Sequence, residues 1–99
     1  MTIEISKSNL DLLYNKARAS FGECIDLKEN EFLQQEVDIP LKSIILREKD
    51  IKIVFSPEIP ESFTREVYLK LYSGNIEIGK YLYIEDKDGN PIDDSLVFY

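Results

Sequence analysis

Hydrophobic residues recur at helical spacing near the start of the chain. They lie at positions i, i+3, i+4, i+7 and i+11 of one helix face: Leu10, Leu13, Tyr14, Ala17 and Phe21. Ser8, followed by Asp11 three residues later, is predicted to cap this helix, and Gly22 is predicted to end it. Residues 3–5 alternate between apolar and acidic side chains, which is typical of a short strand or arm before the helix.

Residues 23–38 are predicted to form a connector with local structure at most. The segment holds six carboxylates and one lysine, a net charge of −5. Phe32 and Leu33 could anchor a single helical turn within it. The simplest interpretation is a solvated surface loop held by these two apolar side chains.

After Pro40 the hydrophobic period changes to two, which indicates strands. Apolar runs at 41–47 and 51–55 flank the polar residues 48–50, which predicts a hairpin. Residues 56–61 contain two prolines and are predicted to be a loop. Two further strands meet at the turn residues 73–75, and a turn at 86–91 leads to a last strand at 95–99. The sequence therefore predicts an α+β fold in a single domain, residues 1–99, with the helix packed on one face of a mainly antiparallel sheet of about five strands.

Strict alternation also assigns side chains to the two faces of this sheet. The residues expected to face the helix are Val67, Leu69, Leu71, Ile76, Ile78, Leu82 and Ile84. The opposite face then carries four tyrosines: Tyr68, Tyr72, Tyr81 and Tyr83. Two interpretations stay open, because cross-strand aromatic pairs stabilise a solvent-facing sheet and tyrosine is also enriched at protein interfaces.

Composition excludes several function classes. The net charge of −7 disfavours direct binding to nucleic acid or to an anionic membrane surface, both of which require clustered lysine and arginine. The chain has no histidine and one cysteine, so triads built on imidazole, histidine-bearing zinc sites and an internal disulfide are ruled out. We therefore expect no enzyme activity, cofactor or metal. A signal peptide is not recognisable at the N-terminus, which favours the cytoplasm.

The remaining candidate chemistry is acidic. Residues 85–94 carry a net charge of −4, with five carboxylates: Glu85, Asp86, Asp88, Asp93 and Asp94. Asp86, Asp88 and Asn90 resemble the start of a calcium loop, but the required glycine and bidentate glutamate are missing, so a turn is favoured. Residues 39–56 carry a net charge of +2. The acids either promote solubility or form a negative surface complementary to a basic partner.

The segment IGKYLYIEDKDGNPIDDSLVF, residues 78–98, resembles the tail of small bacterial immunity proteins. These proteins accompany polymorphic toxins, including those of contact-dependent growth inhibition. The similar features are the I-G-x-Y, D-x-x-G and D-D-x-L-V-F elements, which cover about the last quarter of the chain. The resemblance implies a cytosolic inhibitor of one cognate toxin domain, often a DNase or tRNase.

We therefore predict a protein that binds and neutralises a basic toxin, a nuclease, by covering its active site or substrate-binding face. The predicted contact residues are Tyr81, Tyr83, Glu85, Asp86, Asp88, Asp93 and Asp94, with residues 23–38 as the second choice. The alternative is a small cytosolic adaptor that binds another protein through a sheet edge or the tyrosine face. The last strand could also pair with a second copy to give a homodimer.

Overall fold

A computed structural model describes residues 5–58 and 62–99 and gives an α+β fold. The helix α1, Lys7–Asp26, packs on an antiparallel sheet. Within the described residues the sheet has four strands in sequential order: β1 Ile45–Phe55, β2 Phe63–Ser73, β3 Ile76–Asp86 and β4 Pro91–Phe98. The prediction of a helix on an antiparallel sheet is confirmed, and the count of five strands is wrong.

The helix α1 buries the face that its spacing predicts. Leu13, Ala17 and Phe21 enter the core that the helix shares with the sheet. Its first residue follows Ser6, whose hydroxyl accepts a hydrogen bond from the N–H of Asn9, so the predicted cap at Ser8 is wrong by two residues. The helix also continues past Gly22 to Asp26, because the next turn packs half-buried side chains against the core. Residue 5 lies outside any strand, and the other residues of the predicted N-terminal strand lie outside the described part of the chain.

The acidic connector is more regular than predicted. It begins inside α1, and a 3₁₀ helix occupies Lys28–Glu36. Leu33 is buried in the core as expected, whereas Phe32 is exposed to solvent. The prediction that Phe32 helps to anchor this segment is wrong, and the side chains that pack against the core beside Leu33 are Cys24, Ile25 and Val37.

The predicted hairpin at residues 41–55 is a single strand. Residues 41–43 form a short 3₁₀ turn, and β1 then pairs with β2 along its whole length. The register shifts between Glu48 and Asp50, so Lys49 is an extra residue in a β-bulge. A tight hairpin needs residues that adopt positive φ, such as glycine or asparagine, and residues 48–50 contain neither. This bulge accounts for the missing fifth strand.

The predicted faces of β3 are reversed over most of its length. Tyr83 pairs with Val67 and Tyr81 with Leu69, which places both tyrosines on the face that packs against α1. A register shift makes Ile78 an extra residue in β3 and interrupts the alternation at that point. Ile78 still packs against the core as predicted. Leu82 and Ile84 lie on the opposite face, and the prediction that they face the helix is wrong.

None of the helices in the described part of the chain is long and apolar enough to cross a membrane.

Candidate functional site

Three of the seven predicted contact residues lie in the interior. Tyr81, Tyr83 and Glu85 project from β3 toward α1 and are 0%, 3% and 1% exposed. The prediction that the two tyrosines act as surface anchors is therefore corrected, and Glu85 is likewise unavailable to a partner in the folded chain. The cause is the β3 register, which turns this set of side chains toward the helix.

The buried carboxylate of Glu85 joins three elements of the fold. Its Oε1 lies 3.2 Å from Nζ of Lys16 on α1, and its Oε2 lies 2.9 Å from Nη1 of Arg65 on β2. The hydroxyl of Tyr83 donates a hydrogen bond to Oε1 at 3.1 Å. A buried charge is tolerated when it is paired and hydrogen-bonded in this way. Burial, together with the neighbouring Glu85 carboxylate, raises the pKa of Tyr83 to about 12.

The hydroxyl of Tyr81 lies at the centre of a second, partly buried cluster. It donates to Oδ2 of Asp94 at 2.7 Å and lies 2.6 Å from Oγ of Ser20 on α1. Because a phenol has one proton, the Ser20 hydroxyl donates to Tyr81. The Tyr81 ring packs edge-to-face on Phe21, with the centroids 5.4 Å apart. Burial raises the pKa of Tyr81 far above its ordinary value.

Cys24 belongs to the edge of the same cluster. Burial raises the pKa of its thiol, and the nearby carboxylate of Asp94 raises it further. A thiol with a raised pKa stays protonated and is a poor nucleophile, and the carboxylate that contributes to this is Asp94 on β4.

Asp86 organises the turn between β3 and β4. Its Oδ1 accepts hydrogen bonds of 2.9 Å from the backbone N–H groups of Asp88 and Asn90. These bonds lower the pKa of Asp86 and keep it ionised. Gly89 adopts a φ of 85°, a conformation that favours glycine. The polar residues of this segment therefore form the predicted turn.

The other four predicted contact residues are carboxylates at the surface, and together they form an acidic edge. We define it as Asp86, Asp88, Asp93 and Asp94, which lie on the turn and on β4, the last strand of the sheet. Asp88 and Asp93 are exposed, and Asp94 is partly engaged by Tyr81. Within the described residues none of the four pairs with a lysine or arginine. The acidic edge lies on the side of the sheet where, among the described residues, β4 has no neighbouring strand.

The outer face of the sheet carries the other two tyrosines, as predicted. The guanidinium of Arg47 lies 4.4 Å from the ring centroid of Tyr72, and Nζ of Lys52 lies 4.8 Å from that of Tyr68. Both distances are within the range of cation–π contacts. Basic residues of β1 therefore cover the rings of these two tyrosines.

Sequence analysis misses the two cations that hold Glu85. A sequence signal exists for Arg65, which alternation places on the same face of β2 as Val67, Leu69 and Leu71. A cation on the core face of a strand requires a buried counter-charge. Lys16 has no comparable signal, because it is one of several lysines along the chain.

Comparison of the chain with protein-family models, with curated proteins and with solved structures returns no match.

Proposed function

We propose that this chain is an immunity protein that binds and neutralises a cognate toxin, a nuclease, in the bacterial cytoplasm. The observation that carries the proposal is the acidic edge, where four carboxylates on a turn and an edge strand have no cation partner among the described residues. A nuclease presents a basic surface to bind phosphates, and such a surface is complementary to this edge.

The proposed mechanism is occlusion. Carboxylates of the acidic edge take the positions that substrate phosphates would occupy, and the rest of the hairpin blocks access to the toxin's active site. Tyr81 and Glu85 hold the β3–β4 hairpin to α1. The backbone that carries the acidic edge is therefore fixed before a partner binds. Such preorganisation lowers the entropy that binding costs. The resemblance of residues 78–98 to the tails of immunity proteins supports the same hairpin as the contact region.

A second candidate function is an adaptor that binds an acidic protein surface. The observation in its favour is the outer face of the sheet, where Arg47 and Lys52 cover Tyr72 and Tyr68. The two functions differ in affinity, since an inhibitor of a lethal toxin must bind at about nanomolar Kd or tighter, whereas adaptors often bind at about micromolar Kd.

Charge reversal tests the acidic edge. The partner is the toxin domain encoded beside this gene, and association is followed by surface plasmon resonance across a salt series. In the Asp88→Lys/Asp93→Lys variant, association should slow by about tenfold or more at low salt, because long-range steering is reversed. The difference should shrink in 1 M salt, where the Debye length is about 3 Å.

A matched control carries the same change in net charge elsewhere. Glu31→Lys/Glu36→Lys lies on the exposed 3₁₀ helix and should leave association within about twofold of the parent. If the control loses binding and the edge variant keeps it, the interface is residues 23–38. If no neighbouring toxin binds and the chain fails to protect cells that express it, the proposed function is wrong.

A further inference from the structure

A cavity of about 470 Å³ opens between the N-terminal half of α1 and strands β1 and β2. Its volume lies in the range that holds small-molecule ligands, about 300–1,000 Å³. One wall is apolar and includes Leu12 and Leu13 of α1, Ile51 and Ile53 of β1, and Phe63 of β2. Leu12 forms part of the rim and is 56% exposed, so the apolar wall is accessible from solvent.

The other end of the cavity is positively charged. Lys16, Arg65 and Lys87 line it, together with Glu85 and Asp88. Three cations face two carboxylates, and the buried Glu85 is neutralised by its contacts with Lys16 and Arg65. An ammonium has three N–H donors, of which Lys16 directs one to Glu85 among the described residues. The side chains of Lys16 and Arg65 remain 37% and 26% exposed, so both retain surface that a ligand can contact.

We propose that this cavity binds a small organic monoanion with an apolar body, such as a medium-chain carboxylate. The anionic group meets Lys16 and Lys87, and the apolar body lies against Leu12, Ile53 and Phe63. One negative charge matches the excess of one cation in the lining. A nucleotide or another multiply charged phosphate fits less well, because the lining has an excess of only one cation and Asp88 would repel further negative charge. The site shares Asp88 of the β3–β4 turn with the acidic edge, and the remaining lining residues lie outside that edge. The proposal does not depend on the proposed function.

Octanoate and 1-octanol distinguish anion recognition from hydrophobic partition. They have the same chain length and differ in charge, and their binding to the full chain is measured by isothermal titration calorimetry and by amide NMR shifts. Octanoate should bind saturably at one site, and octanol should bind at least about tenfold more weakly, since charge-assisted hydrogen bonds contribute on the scale of one decade or more. Amide shifts should concentrate at residues 12–16 and 51–53.

Two variants locate the site, and a third variant is the control. Leu12→Asp places a carboxylate at the rim and should abolish octanoate binding, and Lys87→Met should weaken it several-fold. Leu27→Asp makes the same type of change at an exposed leucine beyond the other end of α1 and should leave binding unchanged. Circular dichroism checks that each variant is folded.

The proposal is overturned if octanoate shows no saturable binding, if octanol binds as tightly, or if Leu12→Asp leaves the affinity unchanged. It is also overturned if Leu12→Asp weakens toxin binding while octanoate does not bind, because the cavity would then receive a toxin side chain. The octanoate titration uses no toxin, so its failure leaves the proposed function untouched.

Discussion

The phenol of Tyr81 on β3 and the carboxylate of Asp94 on β4 are joined by a hydrogen bond of 2.7 Å. The sequence suggests both residues as contacts for a partner, yet the buried phenol of Tyr81 takes one oxygen of the exposed Asp94 carboxylate. Ser20 on α1 completes the set at 2.6 Å from the phenol oxygen. The Tyr81 hydroxyl therefore links both β4 and α1 to the inner strand β3.

Tyr81→Phe tests this cluster. The change removes one hydroxyl and leaves Ser20 and Asp94 without their partner, so the free energy of unfolding should fall by about 1–3 kcal/mol. Urea denaturation measures the effect. Tyr72→Phe is the control, since its hydroxyl makes an exposed bond of 3.4 Å to Glu77 and its loss should cost less than about 0.5 kcal/mol. Equal effects of the two changes would contradict the structural role of Tyr81.

Glu85→Gln should destabilise the fold while keeping the side-chain volume. It leaves Lys16 and Arg65 beside a neutral amide, and lost hydrogen bonds to a charged group cost about 1.5–3 kcal/mol. Breaking a fully buried ion pair costs about 3–5 kcal/mol of unfolding free energy. Glu85→Gln should cost less than this, because both cations are partly exposed. Chemical denaturation gives the free energy of unfolding. Glu77→Gln on the exposed end of the same strand is the control, and a cost for Glu85→Gln no larger than the control's would refute the buried network.

α1 carries a buried leucine, Leu13, next to an exposed one, Leu12, so the effect of burial can be compared on one helix. Leu13 is 9% exposed and Leu12 is 56% exposed. Leu13→Ala should lower the free energy of unfolding by about 2–5 kcal/mol through lost burial and the cavity left behind. Leu12→Ala should cost less than about 1 kcal/mol. A reversal of this order in urea denaturation would mean that α1 presents a different face to the sheet.

The lowered pKa of Asp86 predicts that the stability of the fold depends on pH. Its pKa is lowered in the folded chain by hydrogen bonds from the backbone of Asn90, Asp88 and Gly89. A lowered folded-state pKa means that the carboxylate contributes stability above its unfolded pKa of about 3.9 and loses it as pH falls through the folded value. The parent should therefore lose Tm more steeply than Asp86→Asn as pH is lowered from about 6 to 3. Asp88→Asn, on the same turn, is the control and should follow the parent's pH profile.

Local signals predict much of the architecture. The apolar stripe of α1 needs only the helical period, and the turn at residues 86–91 needs only the local preferences of Asp, Gly and Asn. These features depend on neighbours within a few residues, so they are visible in the sequence. The helix ends and the β1 hairpin are predicted wrongly because packing against the core continues α1 beyond Gly22 and because the bulge at Lys49 lets β1 stay continuous.

The candidate site is less accessible to sequence reasoning. Alternation separates Tyr81 and Tyr83 from Leu82 and Ile84, but a period of two contains no information on which set faces the helix. Composition favours the aliphatic set, and the structure buries the tyrosines. Polar partners make this possible, because Ser20 and Asp94 satisfy one hydroxyl and Glu85 satisfies the other.

The sequence by itself determined the amphipathic helix, the antiparallel strands after Pro40, the turn of the β3–β4 hairpin and the excess of negative charge. Only the tertiary structure decided which face of β3 is buried and which carboxylates remain on the surface. The physical reason is that a β-bulge at Ile78 shifts the register of β3 against β2, and one residue of shift moves every later side chain to the other face. Burial of Glu85 likewise depends on Lys16 and Arg65, which come from distant parts of the chain and meet it only when the helix packs on the sheet.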